Sequence, residues 1–218
     1  MTEPTLEIER QLLTENELVI GVDEVGRGAL AGPVAVGACV IGPAQIEQGA
    51  PAGLRDSKLL TAKRRLAIEP EARAWALASA LGWASATEID EYGIGSCLAS
   101  AAIRALAELW QQGIPVDRAV ILLDGTHDWL TGAMHHPLPV VVRTKADRDC
   151  AAVAAAAIIA KVARDARMVA LAEAHPEWAE YDWASNKGYG SAAHRDVIAR
   201  LGACDAHRRT WLGRILAE

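Results

Sequence analysis

Short apolar runs that stop at or near an acid recur along the chain. Leu18, Val19, Ile20 and Val22 lead into Asp23-Glu24, and residues 119–123 lead into Asp124-Gly125. Leu138, Val140, Val141 and Val142 lead, a few residues later, to Asp147. Apolar runs of this length, rich in β-branched residues, predict buried strands. Residues 33–41, with Val34, Val36 and Val40 in alternation, predict another, and 78–87 read as a strand despite their alanines. Helical spacing marks 61–75, where Thr61 is a cap and Pro70 is expected to interrupt. It also marks 95–112, with Leu98, Ile103, Leu106 and Leu109 or Trp110 on one face. Alanine-rich 150–174 predict a long helix ended by Pro176, and 192–201 a last one. Residues 1–17 read as a lead-in and 42–53 as a Gly- and Pro-rich loop. A loop of at most about twenty residues after Asp124 carries His127, His135 and His136, and loops of that length are often functional. Strands first, then strands alternating with helices, give an α/β class: a mixed sheet covered by helices.

Acids do not belong in buried strands unless something positive meets them, because an unpaired carboxylate is costly to desolvate. If the three acid-terminated strands lie side by side, Asp23, Glu24, Asp124 and Asp147 can converge. Hard divalent ions such as magnesium prefer oxygen ligands of this kind, and four convergent acids suit two-metal phosphodiester cleavage. Each acid also has a plainer reading. Asp23 and Glu24 fit a solvated strand end, Asp124-Gly125 a turn, and Asp147 a helix cap with Asp149 as a competing acid. Sequence neighbours in a regular strand point to opposite faces, so the first strand is expected to end or bend at Asp23-Glu24, as Gly26 permits.

Composition narrows the class. Half of the 218 residues are hydrophobic, so the chain is long and apolar enough for a sizeable core. No stretch is long and apolar enough to span a membrane, and the acidic, polar start is unlike a signal peptide, so a cytoplasmic protein is expected. Cys39, Cys97, Cys150 and Cys204 are widely spaced and read as buried free thiols. The net charge of −6 argues at first against a nucleic-acid partner. The distribution softens that: residues 1–142 balance to −8 and 143–218 to +2, which makes the last third the more phosphate-compatible part. The chain has no Phe and seven Trp, so tryptophans are expected to serve the core.

Ordered motifs then bring a family into view. They are Asp23-Glu24-Val25-Gly26-Arg27-Gly28 with Ala31-Gly32-Pro33-Val34, Asp56-Ser57-Lys58, and Ile89-Asp90-Glu91-Tyr92-Gly93-Ile94. Leu123-Asp124-Gly125, Lys145-Ala146-Asp147 and residues 159–165 follow, then Asn186-Lys187-Gly188-Tyr189-Gly190 with His194, and His207-Arg208. In this order, over roughly residues 18–212, the chain resembles type 2 ribonuclease H (ribonuclease HII). It departs from the pattern at Ala146, where the family usually has glycine, and at Ser191 in place of threonine. Trp211 stands near the place of a usual phenylalanine.

The resemblance implies a ribonuclease H-like fold with a small helical C-terminal appendage. It divides the chain into a lead-in (1–17), a catalytic domain (18–175) and a substrate-binding segment (176–218). It implies an endoribonuclease that cuts RNA–DNA hybrids and incises 5′ to ribonucleotides embedded in duplex DNA. The metal ligands would be Asp23, Glu24, Asp124 and Asp147, holding Mg2+ or Mn2+. Gly26, Arg27 and Gly28 would meet the 2′-hydroxyl through the backbone, with a loop-holding salt bridge as Arg27's other role. Tyr189 would stack on the following deoxyribose, Lys58, Lys161 and Lys187 are candidate phosphate contacts, and Arg164 and Asp165 support the site or fold. The implied partners are hybrid and ribonucleotide-containing duplex, with a monomer as default. Two other readings are a different nuclease of this fold, which needs neither the Gly-Arg-Gly turn nor Tyr189, and a noncatalytic hybrid-binding module, which would be expected to lack the acids.

Overall fold

The computed structural model describes residues 3–217, so the first two residues of the lead-in and the final residue lie outside it. Its elements run α1 (Glu7–Leu12), β1 (Leu18–Val25), β2 (Val34–Ile41), α2 (Pro43–Gln48), α3 (Ala62–Trp75), β3 (Ala78–Ala84) and α4 (Ala86–Gln111). They continue with β4 (Ala119–Asp124), β5 (Val140–Arg143), α5 (Ala146–Asp149), α6 (Ala151–Ala174), α7 (Trp183–Asn186) and α8 (Ala192–Leu201). The strands form one sheet in the order β3-β2-β1-β4-β5. β1 is antiparallel to β2 and parallel to β4, and β5 is parallel to β4. The sheet is therefore mixed, as the alternation of elements predicts, and β1 runs through its middle.

Alternation along the central strands sorts the core into two layers. Val19, Val120 and Leu122 face the cluster built with α3 and α6, whereas Ile20, Val22, Ile121 and Leu123 face α4. The alanines of α6, buried from Ala151 to Ala157, allow that helix to lie unusually near the sheet. Glycines complete the fit: a Cβ at Gly21 or Gly37 would collide with the α6 backbone at Ala152 or Ala156, and one at Gly82 with α4 at Ala101. A third, smaller core joins the C-terminal segment to the body through Ala31, Met168, Tyr181, Trp183, Ile198 and Leu212.

Several expectations need correcting. β1 does not end at Asp23 but stays paired with β2 through Glu24↔Val36 and Val25↔Ala35. Pro70 does not interrupt α3, because its i−4 residue, Leu66, lies on the exposed face where water can satisfy the freed carbonyl. The third strand stops at Ala84, where Ser85 and Glu88 form a capping box that starts α4 well before residue 95. The kink at Gly93 (φ 76°) falls inside that helix. α1 and α2 occupy stretches read as lead-in and loop. Of the seven tryptophans, Trp75 and Trp183 are buried but Trp110 is exposed, and Cys204 is only half-buried.

Candidate active site

Where parallel strands end, a sheet leaves a cleft. β1 outlasts its pairing with β4, whose last matched pair on this side is Val22↔Leu123, so from Asp23 onward β1 is free on that edge. Asp23 follows Val19 and Gly21 onto the α6 face, as Asp124 follows Val120 and Leu122. Glu24 belongs by alternation to the other face, yet it lines the same cleft as Asp23 and Asp124. Val25, Gly26, Arg27, Gly28, Ser57, Lys58, Lys161 and Tyr189 complete that cleft.

Asp147 is held beside it by a helix cap supplied from another element. α5 starts at Lys145 in the left-handed region (φ 62°) with no side-chain cap of its own. Asp124 Oδ1 instead accepts the N–H groups of Ala146 (2.7 Å) and Asp147 (3.4 Å). Such a cap contributes about 1 kcal/mol and here fixes one acid relative to the other. Cys150 is extended, so α5 and α6 are separate helices rather than one.

Crowding of these acids has an electrostatic consequence. Asp23 is 4% exposed, and burial, then Glu24, Asp124 and Asp147, push its carboxyl well above the usual range. Burial also raises Glu24, against the hydrogen bond from Arg27. Burial and then Asp147 raise Asp124, against the two N–H bonds it accepts. Lys58 is the cation that answers them, with Nζ 2.9 Å from Asp147 Oδ2. Burial works against its charge, but the bond to Asp147 and the pull of Asp147, Asp23 and Asp56 outweigh it and raise its pKa.

The donor set fits hard divalent ions: carboxylate oxygens only, with more negative charge than one lysine neutralises. Among the described residues, no group of three or more His, Cys, Asp or Glu side chains is already arranged to hold an ion, and an ammonium stands against Asp147. The acids are gathered, but a metal would have to draw them into a coordination shell.

The residues expected to meet substrate surround this centre unevenly. Arg27 pairs with Glu24 at 3.2 Å, which is the loop-holding role. Gly26 is in the left-handed region (φ 86°), and a Cβ there would overlap the Arg164 side chain. A Cβ at Gly28 would meet nothing within 4 Å, so its bare face opens outward. Two cations lie over the Tyr189 ring, Lys161 Nζ 5.3 Å and the Arg164 guanidinium 5.2 Å from its centroid. Lys161 also pairs with Asp165 at 2.7 Å. Lys187 is not brought into the cleft: it caps α7 at φ 54°, its ammonium turns back to the Ala184 carbonyl, and it lines a groove between α3 and α6.

Two arginines that sequence reasoning left in supporting or unspecified roles fasten these parts together. Arg164, fully buried, donates to the carbonyls of Pro33, Ala31 and Lys187. Arg208, also fully buried, donates to those of Gly26, Arg27 and Gly32. Next to it, His194 and His207 form a chain whose tautomers follow from their partners. Nδ1 of His194 faces the Tyr189 carbonyl and must donate, so Nε2 accepts from Trp183 Nε1 and from His207 Nε2, each at 3.2 Å. Nδ1 of His207 then accepts from the Cys204 N–H at 3.1 Å. Burial lowers both imidazoles, His207 to about 4, which keeps them neutral.

A mixed sheet with β1 antiparallel to β2 and parallel to β4, helices on both faces and acids at one end, is the ribonuclease H-like fold. The ribonuclease HII family model matches residues 20–213, and the chain belongs to that family. It is 45% identical over 212 residues to the ribonuclease HII of Streptomyces griseus, covering 95% of this chain and 84% of that protein. The ribonuclease H2 of Pyrococcus horikoshii OT3 superposes with a TM-score of 0.67 at 26% identity, covering 89% of this chain and 93% of that one. Bst-RNase HIII in complex with Mn2+ superposes at 0.74 and 21% identity, over 99% of this chain and 73% of that one, which is a likeness of fold. The protein is thus a hydrolase, a metal-dependent endoribonuclease of RNA–DNA hybrids.

Proposed function

We propose that the protein cuts on the 5′ side of ribonucleotides, both within RNA–DNA hybrids and singly embedded in duplex DNA, with Asp23, Glu24, Asp124 and Asp147 holding two Mg2+ or Mn2+ ions. The observation that carries this reading is one cleft that joins acids to a substrate-reading surface: Asp23, Glu24 and Asp124 line it together with Gly26, Arg27, Gly28 and Tyr189. A nuclease without preference for ribose has no use for the second set.

Bound ions would supply Lewis-acid activation of water and neutralise charge on the leaving oxygen. The chain's own residues do the rest. Asp124 keeps Asp147 in place through the α5 cap, and Lys58 neutralises Asp147 until an ion takes over. The open face of Gly28 lets a sugar-phosphate backbone come against the main chain, where a 2′-hydroxyl can accept or donate a hydrogen bond. The Tyr189 ring, steadied by Lys161 and Arg164, lines the cleft and would offer a flat surface to the next sugar. The C-terminal segment, 176–218, acts as the substrate-binding part because it carries Tyr189 into the cleft.

The test is a DNA duplex with one ribonucleotide, incubated with Mg2+ or Mn2+ and wild type, Asp124→Asn or Tyr189→Ala. Wild type should give a single 5′ cut. Asp124→Asn keeps an oxygen to cap α5, so it should fold normally yet lose activity by about a thousandfold or more. Tyr189→Ala should weaken cutting less. Cleavage of an all-DNA duplex with the ribonucleotide ignored would sink the reading.

A further inference from the structure

Arg208 spends nearly all of its donors on one loop, and the peptide bonds of that loop translate this into a direction. Nη2 donates to the Gly26 carbonyl (2.7 Å) and Nη1 to the Arg27 carbonyl (2.8 Å). Nε and Nη2 share the Gly32 carbonyl, at 3.2 and 3.1 Å. The guanidinium rests on the Trp211 ring, 4.9 Å from its centroid, and no carboxylate pairs with it among the described residues. A trans peptide unit is planar, with C=O and N–H pointing opposite ways. Turning the Gly26 and Arg27 carbonyls inward therefore turns the N–H groups of Arg27 and Gly28 outward. Among the described residues neither N–H has a backbone partner, and Gly28 has no side chain to cover its own.

We propose that Arg208 is a positioning residue for ribonucleotide recognition, setting the outward aim of the Arg27 and Gly28 N–H donors at the cleft. The proposal rests on the reading that this loop meets the ribose. It assigns no contact between Arg208 and substrate, since the side chain is fully buried. Lysine cannot replace it: an ammonium has the charge but not the planar fork needed to hold three carbonyls and stack on an indole. Backbone pairing from the same strap, Arg208 N to Leu30 O and Gly32 N to Ala206 O, survives side-chain replacement and keeps the segment docked.

The experiment measures binding without metal, in EDTA, so that nothing is cleaved. Two duplexes of one sequence are titrated, all-DNA and with a single embedded ribonucleotide, against wild type, Arg208→Lys and Arg208→Gln. Circular dichroism and melting report the fold. Wild type should prefer the ribonucleotide duplex by about tenfold, one charged or well-placed hydrogen bond. Arg208→Lys should bring that ratio to about one while leaving all-DNA affinity unchanged. Retained preference in Arg208→Lys, or an equal loss of both affinities, overturns the proposal while the wild-type preference preserves the reading beneath it. A wild type without preference overturns that reading, and the proposal falls with it. If Arg208→Lys does not fold, Arg208→Gln carries the same comparison, and a full wild-type ratio in it overturns the proposal.

Discussion

Gly26 and Gly28 stand two residues apart and are glycine for different reasons. Gly26 holds φ 86° and backs onto Arg164, so any side chain there is strained and collides inside the protein. Gly28 has neither a positive φ nor a neighbour, so the fold does not require it. Gly26→Ala should therefore destabilise by about 1–3 kcal/mol, the usual scale for a side chain forced into the left-handed region. Gly28→Ala should melt as wild type does and still lose cleavage of ribonucleotide-containing duplex, mainly through KM, because the methyl fills the space through which substrate meets the main chain. Melting curves beside steady-state kinetics separate the two. Equal melting losses in both variants would contradict the assignment of Gly28 to substrate.

At the scale of elements, the lead-in is where the structure adds most. α1 buries Glu9, whose Oε1 accepts the Ala152 N–H at 2.9 Å and so caps the start of α6 from 143 residues away in sequence. Thr5 pairs with the same region through its N–H to Asp149 O and its carbonyl to Ala151 N. Burial raises the Glu9 carboxyl, and Oε2 lacks a protein partner. Glu9→Gln keeps the accepting oxygen without the charge and should be as stable as wild type or more so. Glu9→Leu strands the Ala152 N–H and should cost about 1–3 kcal/mol. Urea denaturation decides; equal stabilities for Gln and Leu would remove the cap from the account. Leu6, Ile8, Leu12 and Leu13 all pack into the core, and their helical spacing was available in the sequence, but the six-residue helix is too short to announce itself beside a polar start. The strands and α6 were legible because apolar runs and alanines are dictated locally. The α4 start was not: the capping box at Ser85 was in plain sight, but the alanines around it fit strand and helix equally. The four acids were legible as acids at or just beyond apolar runs, although β1 continues past Asp23 and Asp147 lies in α5. Arg208 and Glu9, in contrast, act on backbone groups over a hundred residues away, a relation no local pattern encodes.

For the molecule as a whole, the acid centre should oppose folding until it is neutralised. The chain carries a net −6, and Asp23 is buried among Glu24, Asp124 and Asp147 with Lys58 as the near cation. A buried charge among like charges costs stability, and that cost is what makes the site receptive to cations. An ion that binds the folded chain alone stabilises it by about 2–3 kcal/mol at a hundredfold excess over its Kd, or about 5–10 °C in a chain of this size. Mn2+ should therefore raise the wild-type Tm by that amount, where NaCl at matched ionic strength should not. Asp23→Asn removes one of the crowded charges. It should melt a few degrees higher than wild type without metal, gain less from Mn2+, and cleave nothing. Thermal scans with and without metal give both numbers from one protein preparation. A metal-free Asp23→Asn no more stable than wild type would mean that the acids are relaxed by solvent rather than strained by one another. A full Mn2+ shift in that variant would place the ion elsewhere. Opposing signs in these two measurements would be the signature of a site selected for chemistry: a carboxylate that lowers stability without metal and is needed for cleavage with it.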